Sequence, residues 1–255
     1  MAAYNEEKWI GKTIDSVLSQ TFPYFEFIII NDGSRDKTQQ IIESYKDSRI
    51  RVLVNTSNMG LARSLNRGIR SAKGEYIARI DAGDIMLPKR LQEQVNFLWG
   101  FPKVFIVGTW ATQINSEGKE IGRWKVPIKT SNSRLFLPQI AIHPTIMVRK
   151  SLFDCGYYNE RFDISLEYEL FLRARQRGFE IANIPKYLTE VLVRQGMTNS
   201  NLRKTQYNQL EIKLHYLPYF FSFWNVYSTL RSLVGLVIPT PVLKTIISRR
   251  LLMEA

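Results

Sequence analysis

Residues 25–34 read Phe25-Glu26-Phe27-Ile28-Ile29-Ile30-Asn31-Asp32-Gly33-Ser34, and this stretch decides the fold. Its apolar run is typical of a strand buried on both faces of a parallel sheet, and Asp32-Gly33 ends that strand in a turn. Further strands are predicted over residues 50–54 and 75–80, and helices over residues 61–72 and 88–98. Strands that alternate with helices at these intervals indicate an α/β fold with a mixed, mostly parallel sheet flanked by helices.

The composition is that of an ordinary globular protein. Of the 255 residues, 45% are hydrophobic and 23% are charged, which excludes disordered and collagen-like classes. The single cysteine, Cys155, excludes an internal disulfide and suits a reducing cytosol. The 35 basic residues outnumber the 23 acidic ones and give a net charge of +12. Such a charge favours an anionic partner, which could be a nucleotide, a nucleic acid or a lipid headgroup.

Two acidic turns follow predicted strands. Asp32 follows the strand at 25–30, and Asp81 and Asp84 follow the strand at 75–80. Because ligands of open parallel sheets bind at the carboxyl ends of strands, both turns are candidates for one site. The chain lacks glycine-rich phosphate-binding motifs, so a hard cation held by carboxylates would have to meet a diphosphate. The alternative is that these aspartates are ordinary turn and capping residues. Arg79, in the strand before Asp81, is a candidate contact for a diphosphate or a carboxylate.

An ordered series of short motifs spans residues 3 to about 200. It includes Ala3-Tyr4-Asn5-Glu6-Glu7, Ile30-Asn31-Asp32-Gly33-Ser34-Arg35-Asp36, Asn58-Met59-Gly60-Leu61-Ala62, Ala72-Lys73-Gly74-Glu75-Tyr76-Ile77-Ala78, Asp81-Ala82-Gly83-Asp84, His143-Pro144-Thr145, Gly156-Tyr157-Tyr158 and Glu167-Tyr168-Glu169-Leu170. In this order the motifs resemble the family-2 glycosyltransferases of bacterial cell-surface polysaccharide synthesis. The resemblance implies a GT-A domain over residues 1–200, with a nucleotide-sugar-binding half at 1–98 and an acceptor-binding half at 99–200.

The resemblance also implies roles for individual residues. Glu167 matches the catalytic base, and Asp32 matches the acid that reads the nucleotide base. The residues implied at the nucleotide-sugar donor are Tyr4, Glu6, Asp32, Arg79, Asp81 and Ala82. Asp81 and Asp84 match the motif that holds a divalent metal, Mg²⁺ or Mn²⁺. His143 and Arg194 are expected on the acceptor side.

Three features depart from the family pattern. Gly83 stands where a metal-binding aspartate is usual, and Leu166 stands in the base motif that usually reads Glu-Asp. In addition, only Met1 and Ala2 precede the Ala3 segment, so the first β-strand of the sheet is expected to be missing. The missing strand leads to the hypothesis that the reading frame starts upstream or that the chain is a truncated, inactive relative.

Residues 201–255 form a basic, aromatic tail that is predicted to be helical. Its aromatic residues are concentrated between Tyr216 and Tyr227, and Lys244, Arg249 and Arg250 follow them. Aromatic residues with basic neighbours suit a bilayer interface, which favours contact with the membrane. The alternative is that these aromatic residues cover the catalytic core. With no signal peptide visible, we expect a cytoplasmic protein that is peripheral on the inner face of the cell membrane.

The sequence thus predicts an inverting glycosyltransferase that moves a sugar from a nucleotide-diphosphate donor, a UDP-sugar, to a glycan or a lipid-linked acceptor. The alternative is a non-catalytic relative that binds sugar nucleotides. A nucleic-acid-binding protein is disfavoured because basic and acidic residues are interspersed and no recognition motif is present. A dinucleotide oxidoreductase is disfavoured because the glycine fingerprint is absent.

Overall fold

The computed structural model describes residues 1–137, 139–194 and 199–238. The strands are β1 (Ala2–Ala3), β2 (Phe27–Asn31), β3 (Ile50–Val54), β4 (Tyr76–Ala78), β5 (Ile85–Met86), β6 (Val104–Ile114), β7 (Glu120–Trp124), β8 (Met147–Arg149) and β9 (Glu180–Leu192). The helices are α1 (Ile10–Leu18), α2 (Thr38–Ser44), α3 (Leu61–Ser71), α4 (Arg90–Gly100), α5 (Leu166–Gln176), α6 (Asn199–Tyr216) and α7 (Phe223–Val237). These elements confirm the α/β class and the helices predicted around residues 61–72 and 88–98.

The strands form two sheets with different pairing. The first sheet has the order β1-β2-β3 and is parallel throughout. The second has the order β4-β8-β6-β9-β5, with β7 paired to β6. In it, β6 and β9 are parallel, whereas the other pairs are antiparallel. The mixed sheet is therefore confirmed, but parallel pairing is less general than predicted. The cause is that β8 and β9 return from the second half of the chain to pair with β4 and β5.

The expectation that the first strand is missing was wrong. Ala2 and Ala3 form a short parallel strand against the end of β2, and the Ile30 amide donates to the Met1 carbonyl over 2.9 Å. The amino group of Met1 also donates to the carbonyl of Ile28. Next to this short strand, β2 and β4 flank an apolar cleft of about 370 Å³. Ala2 and Ala3 thus pair only with the carboxyl end of β2, at the site edge of the sheet, and this pairing positions the loop after β1.

Apolar periodicity explains how the helices pack on the first sheet. Ile10, Ile14 and Val17 of α1 recur at helical spacing and are buried. On α3, a methyl group at Gly68 would lie 2.7 Å from Cδ1 of Ile30, so glycine permits the close approach of this helix to β2. This approach sets the start of α3 beside the carboxyl end of β2.

Helices α6 and α7 pack against the rest of the fold. Tyr216 and Phe220 are buried in the same apolar cluster as Leu170 of α5, and the Tyr216 hydroxyl donates to Glu169 over 2.9 Å. The alternative that tail aromatic residues cover the core is therefore right for these two. Within residues 1–137, 139–194 and 199–238, no helix has the length and apolarity needed to cross a membrane. The basic residues Lys244, Arg249 and Arg250 lie outside the described residues.

Candidate active site

The ends of β2 and β4 open onto a pocket of about 390 Å³. It is bounded by the loop after β1, the loop before α3, the turn after β4 and the end of β9. The lining residues are Ala2, Ala3, Tyr4, Glu6, Asp32, Asn58, Gly60, Leu61, Asp81, Ala82, Asp84, Val191, Leu192 and Arg194. The structure thus brings together the residues predicted at the donor, with Arg79 joined to the pocket through Asp81.

Asp32 is fixed by the loop that leads into α3. Its carboxylate accepts hydrogen bonds from the side-chain amide of Asn55 at 2.6 Å and from the backbone amides of Met59 and Gly60 at 2.9 and 3.0 Å. Gly60 has a φ of 89°, a left-handed conformation that favours glycine. Because a carboxylate has about four lone-pair sites, these three bonds orient Asp32 and leave room for one further donor.

Arg79 forms an ion pair with Asp81, which lines the pocket. A guanidinium Nη2 of Arg79 donates to Oδ1 of Asp81 over 2.6 Å, and Arg79 is only 6% exposed. Its Nε and Nη1 are buried without a hydrogen-bond partner among the described residues. A buried guanidinium with free donors is costly unless a ligand completes its hydrogen bonds, which makes Arg79 a candidate anion contact.

Glu167 lies in the first turn of α5, beside His143. Burial raises the pKa of Glu167, although the helix start and the charge of Arg79 oppose this rise. His143 Nδ1 lies 3.8 Å from Glu167 Oε2, and His143 Nε2 lies 2.9 Å from the hydroxyl of Tyr158. Burial, together with the charge of Arg79, places the pKa of His143 well below its usual value, so the imidazole is neutral at pH 7. A carboxylate with a raised pKa next to a neutral imidazole is suited to accept a proton.

Arg194 lines the pocket that holds the predicted donor residues rather than the acceptor side, where it was expected. Both of its Nη atoms donate to the carboxylate of Glu6 at 2.7 Å, and Nη2 also donates to the carbonyl of Ala82 at 2.8 Å. The pair joins the loop after β1 to the turn after β4 and to the end of β9. Arg194 therefore borders the pocket at the point where three segments of the chain meet.

The residues expected to hold a divalent metal do not fit one. Asp84 borders the pocket but is only 3% exposed: its Oδ1 accepts the Leu192 amide at 2.9 Å, and its Oδ2 is buried without a partner among the described residues. Burial and the nearby charge of Asp81 raise the pKa of Asp84 to about 7. Asp81 is already paired with Arg79, and Gly83 supplies no ligand. Among the residues with described positions, no group of three His, Cys, Asp or Glu side chains could hold a metal. The geometry therefore does not support the predicted Asp81–Asp84 metal site.

Comparisons with known proteins identify the family. The model of "Glycosyl transferase family 2" matches residues 1–156. A glycosyltransferase of Methanocaldococcus jannaschii is 30% identical over 97% of this chain and 91% of its own length. The chain belongs to glycosyl transferase family 2. The O-antigen biosynthesis glycosyltransferase WbnJ of Escherichia coli is 31% identical over 80% of this chain and 81% of its own length.

The solved structures support the GT-A fold of this glycosyltransferase. The complex of S. aureus TarS 1–349 with UDP-GlcNAc superposes with a TM-score of 0.68 at 18% identity, over 84% of this chain and 65% of that one. The family and its named relatives establish that the protein is a glycosyltransferase enzyme. The nucleic-acid and oxidoreductase alternatives are thereby set aside.

Tyr158 is a site residue of the glycosyltransferase that sequence reasoning did not single out. Asn66 of α3 fixes its backbone, since the Tyr158 amide donates to Asn66 Oδ1 and the Asn66 side-chain amide donates to the Tyr158 carbonyl, both at 2.9 Å. The sequence signal was the Gly156-Tyr157-Tyr158 motif. That motif did not show which of the two tyrosines faces His143.

Proposed function

We propose that this glycosyltransferase transfers a sugar with inversion from a UDP-sugar to a hydroxyl group of a glycan or lipid-linked acceptor in cell-surface polysaccharide synthesis. One observation carries the proposal: the pocket that contains Asp32 and Asp81 adjoins a carboxylate of raised pKa, Glu167. The charges of Arg79 and Asp81 both act on the pKa of Glu167, which reflects the proximity of the two parts of the site. A donor pocket and a proton acceptor are the two parts that direct displacement requires.

The proposed reaction is a single displacement. Asp32 accepts a hydrogen bond from the nucleotide base, and the loop amides that hold Asp32 fix its direction. Glu167 removes the proton of the acceptor hydroxyl while that oxygen forms a bond to the anomeric carbon. The bond between the anomeric carbon and the diphosphate oxygen breaks on the opposite face, so the configuration inverts. Arg79, buried beside Asp81, supplies a positive charge close to the pocket that offsets charge on the departing diphosphate.

Two relatives support the donor and the pathway class. TarS has been solved with UDP-GlcNAc, which supports a UDP-sugar as the donor here. WbnJ is an O-antigen biosynthesis glycosyltransferase, which supports a role in polysaccharide synthesis here. The donor-binding half at 1–98 and the acceptor-binding half at 99–200 remain part of the proposal as functional regions. They are not separately folded units, because β4 pairs with β8 and β5 pairs with β9.

Glu167→Gln tests the proposal. The variant keeps the shape of the side chain but cannot accept the proton, so transfer should fall by about 10²- to 10⁴-fold. UDP binding measured by calorimetry should be unchanged, because Glu167 lies outside the donor pocket. Glu120→Gln is the matched control, since Glu120 is exposed and paired only with the neighbouring Arg123 in β7. Full transfer activity in Glu167→Gln would refute the assigned base.

We also propose that α7 lies on the membrane surface. Its outward face carries an apolar stripe at helical spacing, and Phe223 and Val237 at its ends are 75% and 82% exposed. The other members of the stripe are Tyr227, Leu230, Leu233 and Val234. An exposed apolar stripe of this length marks an interaction surface, and the positive charge of the protein favours an anionic bilayer over a protein partner. Surface attachment would bring a lipid-linked acceptor to the enzyme.

Vesicle sedimentation tests this surface. Leu230→Glu places a negative charge in the middle of the stripe and should abolish binding to anionic vesicles. Ser232→Glu is not a suitable control because Ser232 bonds Lys213. Glu211→Gln serves instead, since it lies on α6 and removes only the exposed pair with Arg161. Unchanged sedimentation of Leu230→Glu would refute the assignment of the stripe to the membrane.

A further inference from the structure

The turn after β4 disfavours a carboxylate side chain at the position of Gly83. Gly83 has a φ of 105°, a conformation in which any L side chain is strained. A Cβ atom at this position would lie 2.9 Å from Leu192 Cδ2 and 3.0 Å from Arg194 Nη2. A positively charged guanidinium thus borders the space in which a second metal-binding carboxylate would begin.

Arg194 is held in this position by two elements of the donor pocket. Its Nη2 donates to the carbonyl of Ala82, the residue before Gly83, and both Nη atoms bond Glu6. The side chain is about half exposed, so a ligand in the pocket can reach it. A guanidinium has five N–H donors in a planar fork, a geometry that matches phosphate oxygens.

Most acidic oxygens of the pocket are matched by protein groups, although Oδ2 of Asp84 is buried without a hydrogen-bond partner among the described residues. Asp32 accepts from three donors, Glu6 is paired with Arg194, Asp81 is paired with Arg79, and Asp84 accepts from the Leu192 amide. A divalent cation would have to displace Arg79 from Asp81 and expose the buried carboxylate of Asp84. A diphosphate needs neither change, because it can exchange with Glu6 as the partner of Arg194.

We infer that Arg194 supplies the positive charge that binds the donor diphosphate and offsets its charge on departure, in place of a metal held by carboxylates. The inference rests on the proposed function, since it concerns the diphosphate of the same donor. The guanidinium of Arg194 would then both bind the diphosphate and stabilise it as the leaving group, two roles that a divalent cation would otherwise have.

Calorimetry of UDP binding to the full chain tests the inference. Titrations are made in EDTA, in Mg²⁺ and in Mn²⁺, with wild type, Arg194→Gln, Arg194→Lys and the control Arg123→Gln. Arg123 is an exposed guanidinium paired with Glu120, away from the pocket. We expect equal wild-type affinity in all three buffers. Arg194→Gln should bind UDP about 10- to 100-fold more weakly, because charge-assisted hydrogen bonds to the phosphates are lost. Arg194→Lys should recover part of this loss, and Arg123→Gln should match wild type.

Two outcomes overturn the inference. One is UDP binding that is lost in EDTA and restored by Mn²⁺, which would place a cation at Asp81. The other is unchanged affinity in Arg194→Gln, with thermal melting used to confirm that each variant is folded. Failure of the proposed function has a different signature: wild type would then bind none of UDP, ADP, GDP and dTDP in any buffer.

Discussion

Phe220 and Phe221 are adjacent in sequence but differ in environment. Substituting each in turn therefore tests separately the two roles of the tail, packing on the core and binding to a membrane. Phe220 is 5% exposed and packs against Phe136 and Tyr216, whereas Phe221 is 78% exposed. Replacing a buried phenylalanine by alanine costs about 3–5 kcal/mol. Because Phe220 lies between α6 and α7, where neighbours can relax, we expect a loss of about 3 kcal/mol for Phe220→Ala. For a chain of this size, each kcal/mol shifts the melting temperature by about 2–4 °C, so Tm should fall by about 6–12 °C.

Phe221→Ala should behave in the opposite way. Its stability should change by less than about 0.5 kcal/mol, because the ring buries little area in the protein. Its binding to anionic vesicles should weaken by about fivefold, because the variant loses the part of the phenyl ring that inserts into the bilayer. Differential scanning fluorimetry and vesicle sedimentation measure the two effects. Equal Tm values for the two variants would refute the packing of α6 and α7 on the core.

Three further predictions concern the site. Asp84→Asn should flatten the pH dependence of stability. Burial raises the pKa of Asp84 from 3.8 to about 7, so the contribution of this group to wild-type stability is greatest below about pH 4 and falls by an amount on the order of a few kcal/mol as the pH rises towards 7. Asparagine still accepts the Leu192 amide and stays neutral, and parallel melts at pH 4.5 and 8 measure the difference. Tyr158→Phe removes the partner of His143 Nε2, which should cost about 1–3 kcal/mol of stability and move the acid limb of the transfer–pH profile; a profile identical to wild type would exclude a positioning role. Asp32→Asn replaces an acceptor oxygen with an amide donor facing the loop amides, and calorimetry should show UDP binding weakened by about tenfold or more.

The sequence predicted those parts of the site that depend on strand ends. Asp32 and Asp81 each follow an apolar strand. Ligands bind at the carboxyl ends of strands, and this rule correctly predicted that both residues line one pocket. The helices packed on the first sheet were predictable for the same reason, since their apolar residues recur at a fixed spacing.

The misplaced parts depend on contacts between distant segments. The position of Arg194 is set by its bonds to Glu6 and Ala82, which are 188 and 112 residues away in sequence. The position of Asp84 is set by the Leu192 amide, and the short first strand by its register with Ile30. The tail contributes both to the core and to the surface. Tyr216 and Phe220 pack against α5, whereas the apolar stripe of α7 is exposed. None of these pairings has a local pattern in the sequence.

The parallel pairing of β6 with β9 also sets the order in which the chain can acquire its structure. These strands are joined along most of their length, and the segment between them includes β7, β8 and α5. Parallel pairs separated by long segments form slowly, because the entropy of closing the loop is lost before the hydrogen bonds form. During synthesis at about 5–20 residues per second, the first sheet can condense seconds before β9 leaves the ribosome. Arg194 follows β9 directly, so the donor pocket is completed only after β9 pairs with β6, and a slow refolding phase should coincide with the recovery of nucleotide binding.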